Sequence, residues 1–243
     1  MQGVWRELAG LVLPVDCAGC GRPRTELCAE CRRVLARDGR GARRVRPWPE
    51  PVGLPRVWAG TPYADEARAV LLAHKERGAL RLAGPLGAVL AGAVRGPRAT
   101  GGGPLLLVPV PSARRSVAGR GHDPVRRIAL AAAGELRRAG RGARVLAVLR
   151  QRRAVADQAG LSARQRLANV AGALEVRAGA GRLLTAQPAV LVDDLVTTGA
   201  TLTEAARAVT AAGGRVAGAA VVAAPSSAFE FNGARSEVLP RRI

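Results

Sequence analysis

The sequence predicts an α/β fold, a parallel sheet flanked by helices and preceded by a small cysteine-bearing segment. Three observations carry this. From about residue 55 to 225, short apolar runs of strand character alternate with segments of helical period. Within that stretch, residues 189–201 read as a buried strand, an acidic pair, a hydroxyl- and glycine-rich turn, and the start of a helix. All four cysteines fall near the N-terminus, in two C-x-x-C pairs.

The elements follow in order. Residues 65–75 place Ala67, Val70, Leu71 and Ala73 on one helical stripe, and 80–94 read as a second helix with Pro85 a candidate restart. Gly101, Gly102 and Gly103 form a flexible link to a short apolar strand at 105–108. Residues 124–139 are helical, with Val125, Ile128, Ala129, Ala132 and Leu136 on one face, and 144–149 read as a strand. Ser162 with Gln165 three residues on has capping-box spacing and predicts a helix over 162–170. The apolar run from Ala189 is the next strand, its following helix runs to residue 212, Gly213 and Gly214 stop it, and 216–223 form a last strand. The Pro-rich stretch from Pro47 to Pro51 marks a boundary, so three parts are expected: 1–50, a cysteine unit and linker; 55–225, the α/β domain; and 226–243, a loose tail.

Composition bounds the class. Of 243 residues 48% are hydrophobic but only 2% aromatic, so the core must be built from Ala, Val and Leu. No apolar run reaches the length of a membrane span, and the first 14 residues, with acidic Glu7, make a poor signal peptide; a cytoplasmic location is expected. The formal net charge of +20 points toward polyanions. Of 38 basic residues, however, Lys75 is the single lysine. With abundant Ala and Gly, that bias resembles the codon supply of a GC-rich genome, so the charge is not purely a partner's imprint.

The stretch 189–201 carries the chemistry. Asp193 and Asp194 close the strand and can accept hydrogen bonds from ribose hydroxyls. Thr197, Thr198, Gly199, Ala200 and Thr201 then place hydroxyls and free backbone N–H groups at a helix N-terminus, where a phosphate is favoured. The cysteines, Cys17, Cys20, Cys28 and Cys31, supply two knuckles whose four thiolates suit tetrahedral Zn²⁺ in a closed structural site. Gly19 and Gly21 give the first knuckle backbone freedom. So short a unit lacks a core of its own, so metal binding would drive its folding.

Other segments are less specific. Val110 and Pro111 follow a strand and lead into a basic loop. Arg120, flanked by Gly119 and Gly121, sits on a segment able to close over a diphosphate, with its fork suited to phosphate oxygens. His122 reads as a solvated loop residue. Lys75 either caps the C-terminus of its helix or serves as a phosphate point charge. Gln158, Arg166 and Asn169 fall on a polar segment that reads as a solvated helix.

Residues 189–201 resemble the phosphoribosyl-diphosphate (PRPP) signature of type I phosphoribosyltransferases. That resemblance implies that Asp193 and Asp194 hold the ribose 2′- and 3′-hydroxyls and residues 197–201 the 5′-phosphate. It also brings Val110 and Pro111 toward the pyrophosphate, and assigns Arg120 and Lys75 to the leaving diphosphate, with Mg²⁺ accompanying PRPP. The order of all the pieces is similar to the ComF family of competence-associated proteins, which join a four-Cys zinc ribbon to a type I phosphoribosyltransferase-like domain. The pieces are the two C-x-x-C pairs, the step from Lys75 to Gly78, and the turn from Val108 to Pro111. They continue with Arg120-Gly121, the segment from Gln158 to Val170, and the acidic signature. The chain departs from that pattern after Arg120, where His122, Asp123 and Pro124 replace an aromatic and two amides. A carboxylate at Asp123 would repel a diphosphate unless a metal intervened.

The resemblance implies a PRPP-binding protein that displaces pyrophosphate at C1′ where active. The other class of function it implies is a non-enzymatic DNA-uptake accessory, its ribbon and arginines meeting single-stranded DNA or a helicase. An Ala-rich domain with few aromatics is also compatible with a homo-oligomer.

Overall fold

The computed structural model describes residues 16–36, 41–96, 103–112, 121–155 and 160–229. The first elements are α1 (Ala29–Leu35), β1 (Arg43–Val45), β2 (Val57–Pro62), α2 (Asp65–Glu76), a 3₁₀ turn (Leu80–Leu82) and α3 (Ala83–Val94). The middle holds β3 (Leu105–Pro109), α4 (Pro124–Arg138), β4 (Ala143–Val145), β5 (Leu149–Gln151), α5 (Ala163–Val170) and β6 (Leu174–Val176). The last are α6 (Arg182–Thr185), β7 (Ala189–Leu195), α7 (Ala200–Ala211), β8 (Val216–Ala224) and a 3₁₀ turn (Ser226–Ala228).

The main sheet has six strands in the order β1-β2-β8-β7-β3-β4, and only β1 runs antiparallel to its neighbour. β5 and β6 pair separately as an antiparallel ribbon. Helices cover both faces, which is why β7 and β8 read as unbroken apolar runs rather than alternations. Val190 and Val192 point into one core with α3 and α4, whereas Ala189 and Leu191 point into the other with α7. With few aromatics, the layers must approach closely. A Cβ on Gly87 of α3 would lie 2.5 Å from Ala131 Cβ and 2.8 Å from Ala132 N of α4, so glycine is required at that crossing.

Several expectations are refined. The helix expected over 80–94 is a 3₁₀ turn followed by α3, and Pro85 lies in the first turn of α3, where its missing N–H costs no intrahelical bond. The strand expected over 144–149 is two strands in different sheets: β4 leaves β3 at Val145, and buried Val148 turns the chain into β5. The boundary drawn near residue 50 falls between β1 and β2, which are paired neighbours. Cys17, Leu27, Cys28, Cys31 and Leu35 share one core with Ala67, Val70 and Leu71 of α2. Of the expected tail, residues up to 229 are packed: Ala228 and Phe229 are buried, and Phe229 bridges to Val45. Residues 230–243 lie outside the described residues. Among the described residues no helix is long and apolar enough to cross a membrane.

Candidate functional site

The strand order determines where a ligand can enter. β3 leads through α4 outward to β4, while its neighbour β7 leads through α7 the opposite way to β8. The two helices pack on opposite faces of the sheet. A crevice therefore opens between the C-terminal ends of β3 and β7, the place where open α/β sheets bind ligands.

Asp193 and Asp194 end β7 at that crevice. On the β3 side the amide of Val110 donates to Val192 O at 2.9 Å, setting Val110 and Pro111 beside the acidic pair. The two carboxylates differ. Asp194 is buried and accepts from Lys75 Nζ at 2.9 Å, across 119 positions of sequence. Asp193 accepts from the Asp194 amide at 2.8 Å. Burial, and then the Asp194 carboxylate beside it, raise Asp193 well above the ordinary carboxylate range, with Lys75 opposing them.

Beyond the pair the chain turns at Gly199, which has φ 78° and caps α7 without a side chain. The first N–H groups of α7 have no intrahelical partner and face the crevice end of the sheet. Thr203 closes the turn, its hydroxyl donating to Gly199 O at 3.1 Å. Glycine is needed here twice over. The left-handed backbone disfavours any Cβ, and a Cβ would come within 2.9 Å of the Leu54 side chain and 3.3 Å of Pro47. Pro47 and Leu54 thus cover the turn. Gly199→Ala is expected to cost about 1–2 kcal/mol from the backbone alone, read as a lower urea midpoint with an unchanged m-value. An unchanged midpoint would contradict this packing.

From the other side α5 brings Arg166 to the turn, Nη1 lying 3.4 Å from Thr197 Oγ1. The Ser162–Gln165 capping box is present in both directions. The start of β6, just after α5, is tied to α7 by Glu204, a buried carboxylate that accepts from the Leu174 amide at 2.9 Å and pairs with Arg207 at 2.8 Å. Burial pushes Glu204 up, but Arg207 and the amides of Leu174 and Gly172 outweigh it and hold its carboxyl below the usual range. Sequence reasoning missed this clamp, although an acid in the apolar stripe of α7 with Arg three residues on was its signal.

The loop after β3 also differs from expectation. Asp123 caps α4, accepting from the Arg126 amide at 3.1 Å and from Ser112 Oγ at 3.2 Å, so its carboxylate has a structural use. His122 does not stand alone in solvent: its ring meets that of His74 edge-on, at 5.8 Å between centroids. His74 is fully buried, with Nδ1 3.2 Å from Ala79 O, and burial lowers its pKa. Arg120 and Gln158 lie outside the described residues.

The cysteines form a second centre. The Sγ atoms of Cys17, Cys20, Cys28 and Cys31 all lie within 4.8 Å of one another. The Cys28 amide donates to Cys17 Sγ at 3.3 Å and the Cys31 amide to Cys28 Sγ at 3.4 Å. Burial would raise Cys17, but backbone N–H groups of Cys28, Cys20 and Gly19 outweigh it and bring it down to about 6. Amides aimed at sulfur suit thiolates, and a set of four could hold a metal ion such as zinc. Gly19 is obligatory, since a Cβ there would lie 2.7 Å from Cys31 Sγ. Among the described residues this is the only group of three or more His, Cys, Asp or Glu placed to share a metal. No model of a known protein family matches the chain, and no curated protein matches it.

Proposed function

We propose that the chain binds PRPP or a related ribose 5-phosphate in the crevice between β3 and β7, in a type I phosphoribosyltransferase-like domain of ComF type. The observation that carries the reading is the pairing of two unlike carboxylates at the end of β7 with an uncapped glycine turn directly after them. Asp193 and Asp194 would receive the ribose hydroxyls, and the turn at 197–201 the 5′-phosphate. Lys75, already on Asp194, would offset the charge gathered there. Magnesium would arrive on the ligand's diphosphate and neutralise it, as the described carboxylates form no cage of their own. Where the site turns over, its part in displacing pyrophosphate at C1′ is positioning and charge stabilisation. The four cysteines would hold one structural zinc.

Calorimetry with PRPP and Mg²⁺ tests the reading. Wild-type chain should bind, and Asp193→Ala/Asp194→Ala should lose detectable binding. No binding by the wild type sinks it. The charge of +20 favours a second reading, an accessory that binds single-stranded DNA or a helicase. Absence of DNA binding at low salt removes its direct form.

A further inference from the structure

His74 is a fully buried titratable side chain that the ribose-phosphate reading leaves without a task. It sits in the last turn of α2, one residue before Lys75, whose Nζ donates to Asp194 at 2.9 Å. Its Nδ1 lies 3.2 Å from Ala79 O, so in the neutral ring that nitrogen carries the proton. Nε2 is then a bare acceptor, sealed from water and without a hydrogen-bond partner. The other backbone group at the ring is Pro124, which has only a carbonyl to offer. A neutral imidazole can serve one of these two carbonyls; only an imidazolium could serve both. The ring also meets that of His122 edge-on at 5.8 Å, which ties the end of α2 to the segment entering α4.

The charged and titratable groups around this junction come from four elements. Lys75 follows His74 on α2, with Glu76 and Arg77 beyond it in solvent. Arg81 on the 3₁₀ turn leans away to Glu26 at 3.7 Å. His122 and Asp123 precede α4, and Arg127 lies in its first turns. The nearby carboxylates are committed elsewhere, Asp123 to the cap of α4 and Asp194 of β7 to Lys75. Burial opposes a charge on the His74 ring most strongly, the Ala79 and Pro124 carbonyls favour it, and His122 and Arg127 oppose it again. The balance holds the ring neutral, below its ordinary range. We infer that His74 is a proton-sensitive positioning residue: neutral, it fastens the end of α2 to the start of α4 and keeps Lys75 on Asp194; protonated, it leaves its slot and that contact loosens. A charged ring would stand beside Lys75 and Arg127 in a place without water, and it regains water only by moving the last turn of α2. The consequence for a ligand, weaker binding in acid, rests on the proposed ribose-phosphate reading; the link from His74 to Lys75 does not. The stability that His74 contributes is full above its unfolded value of about 6.5 and is lost as pH falls through that value toward the lower folded one.

The test compares the full wild-type chain with His74→Asn, which keeps a donor near Ala79 O and cannot charge, in thermal melts from about pH 7.5 to 5.5, on either side of the ordinary histidine value. Asp193 also titrates in the crevice, so the difference between the two proteins is the readout. The wild type's advantage in Tm should shrink by about 2–4 °C as pH falls, the size that one displaced titration gives a chain of this length. In the wild type alone, NMR should show the His74 ring titrating below about 6.5 and the Lys75 ammonium resonances changing in step, a readout independent of the variant's folding. With PRPP and Mg²⁺, the wild type should lose more affinity on acidification than His74→Asn. If the Tm gap is constant with pH, if Lys75 does not respond when the ring charges, or if both proteins lose PRPP affinity equally, the inference is overturned. If neither protein binds PRPP at any pH while the gap and the resonances behave as expected, the inference stands and the ribose-phosphate reading falls. If PRPP binds and the gap is constant, the reading survives and the inference does not.

Discussion

Stripping metal from the cysteine cluster, by a strong chelator or by Cys31→Ser, should lower the melting temperature of the whole chain by roughly 10 °C. The segment 16–36 buries two large side chains, Leu27 and Leu35, and both sit in the core that α2 shares. Losing their burial costs about 1.5–3 kcal/mol each, and a chain of this size loses about 2–4 °C per kcal/mol. The effect should reach the crevice. The knuckle packs on the first turn of α2, a Cβ at Gly19 falling 3.3 Å from Glu66 Cβ, and the last turn of that helix carries Lys75 to Asp194. Metal analysis should find one zinc per chain, and scanning calorimetry with and without chelator should show the shift. An unchanged transition after full metal loss would refute the bracing role.

Asp193→Asn should raise stability at neutral pH while weakening PRPP binding about tenfold or more. Asparagine keeps the oxygen that accepts the Asp194 amide but removes a charge from a desolvated place beside a second carboxylate. The folded-state pKa of Asp193 is raised, so its ionisation costs stability above that raised value and costs nothing below the unfolded value of about 3.9. The gain on substitution is therefore full where wild-type Asp193 is ionised and vanishes as pH falls to about 4. Its expected size at neutral pH is about 2–4 °C in Tm, what 1 kcal/mol produces in a chain of this length. Paired thermal melts at neutral pH and near pH 4, with calorimetry on PRPP, check both halves. A variant less stable than wild type at neutral pH would show that Asp193 is not held against its ionisation.

Local signals were legible where one segment decides the outcome alone. The face of α4, the capping box of α5, the apolar run of β7 and the double-glycine stop after α7 each depend on neighbours a few residues away. Short elements stabilised only by partners were not. β2 is a strand because β8 and β1 lie on either side of it, and α1 exists on the core it shares with α2. The same distinction divides the site. Asp193, Asp194 and the turn at 197–201 were readable because strand, acids, glycine and helix are consecutive. The partner of Asp194 was not, since Lys75 lies 119 positions away and its own sequence context fits a helix C-terminus equally well. Asp123 reads as a repulsive carboxylate from its motif position alone, yet the start of α4 makes it an N-cap.

The sequence by itself determined the α/β class, the cysteine quartet and the acidic-glycine turn, because residue type and near-neighbour spacing suffice for each. Only the tertiary structure decided that β3 and β7 diverge to opposite faces, opening the crevice at the acids. It alone joined the cysteine unit to α2, and through α2 to Lys75. It also set Arg166, which the sequence places on an apparently solvated helix, beside Thr197 at the turn before α7. Burial and charge pairing depend on what the rest of the chain brings alongside, and no spacing along the sequence encodes that.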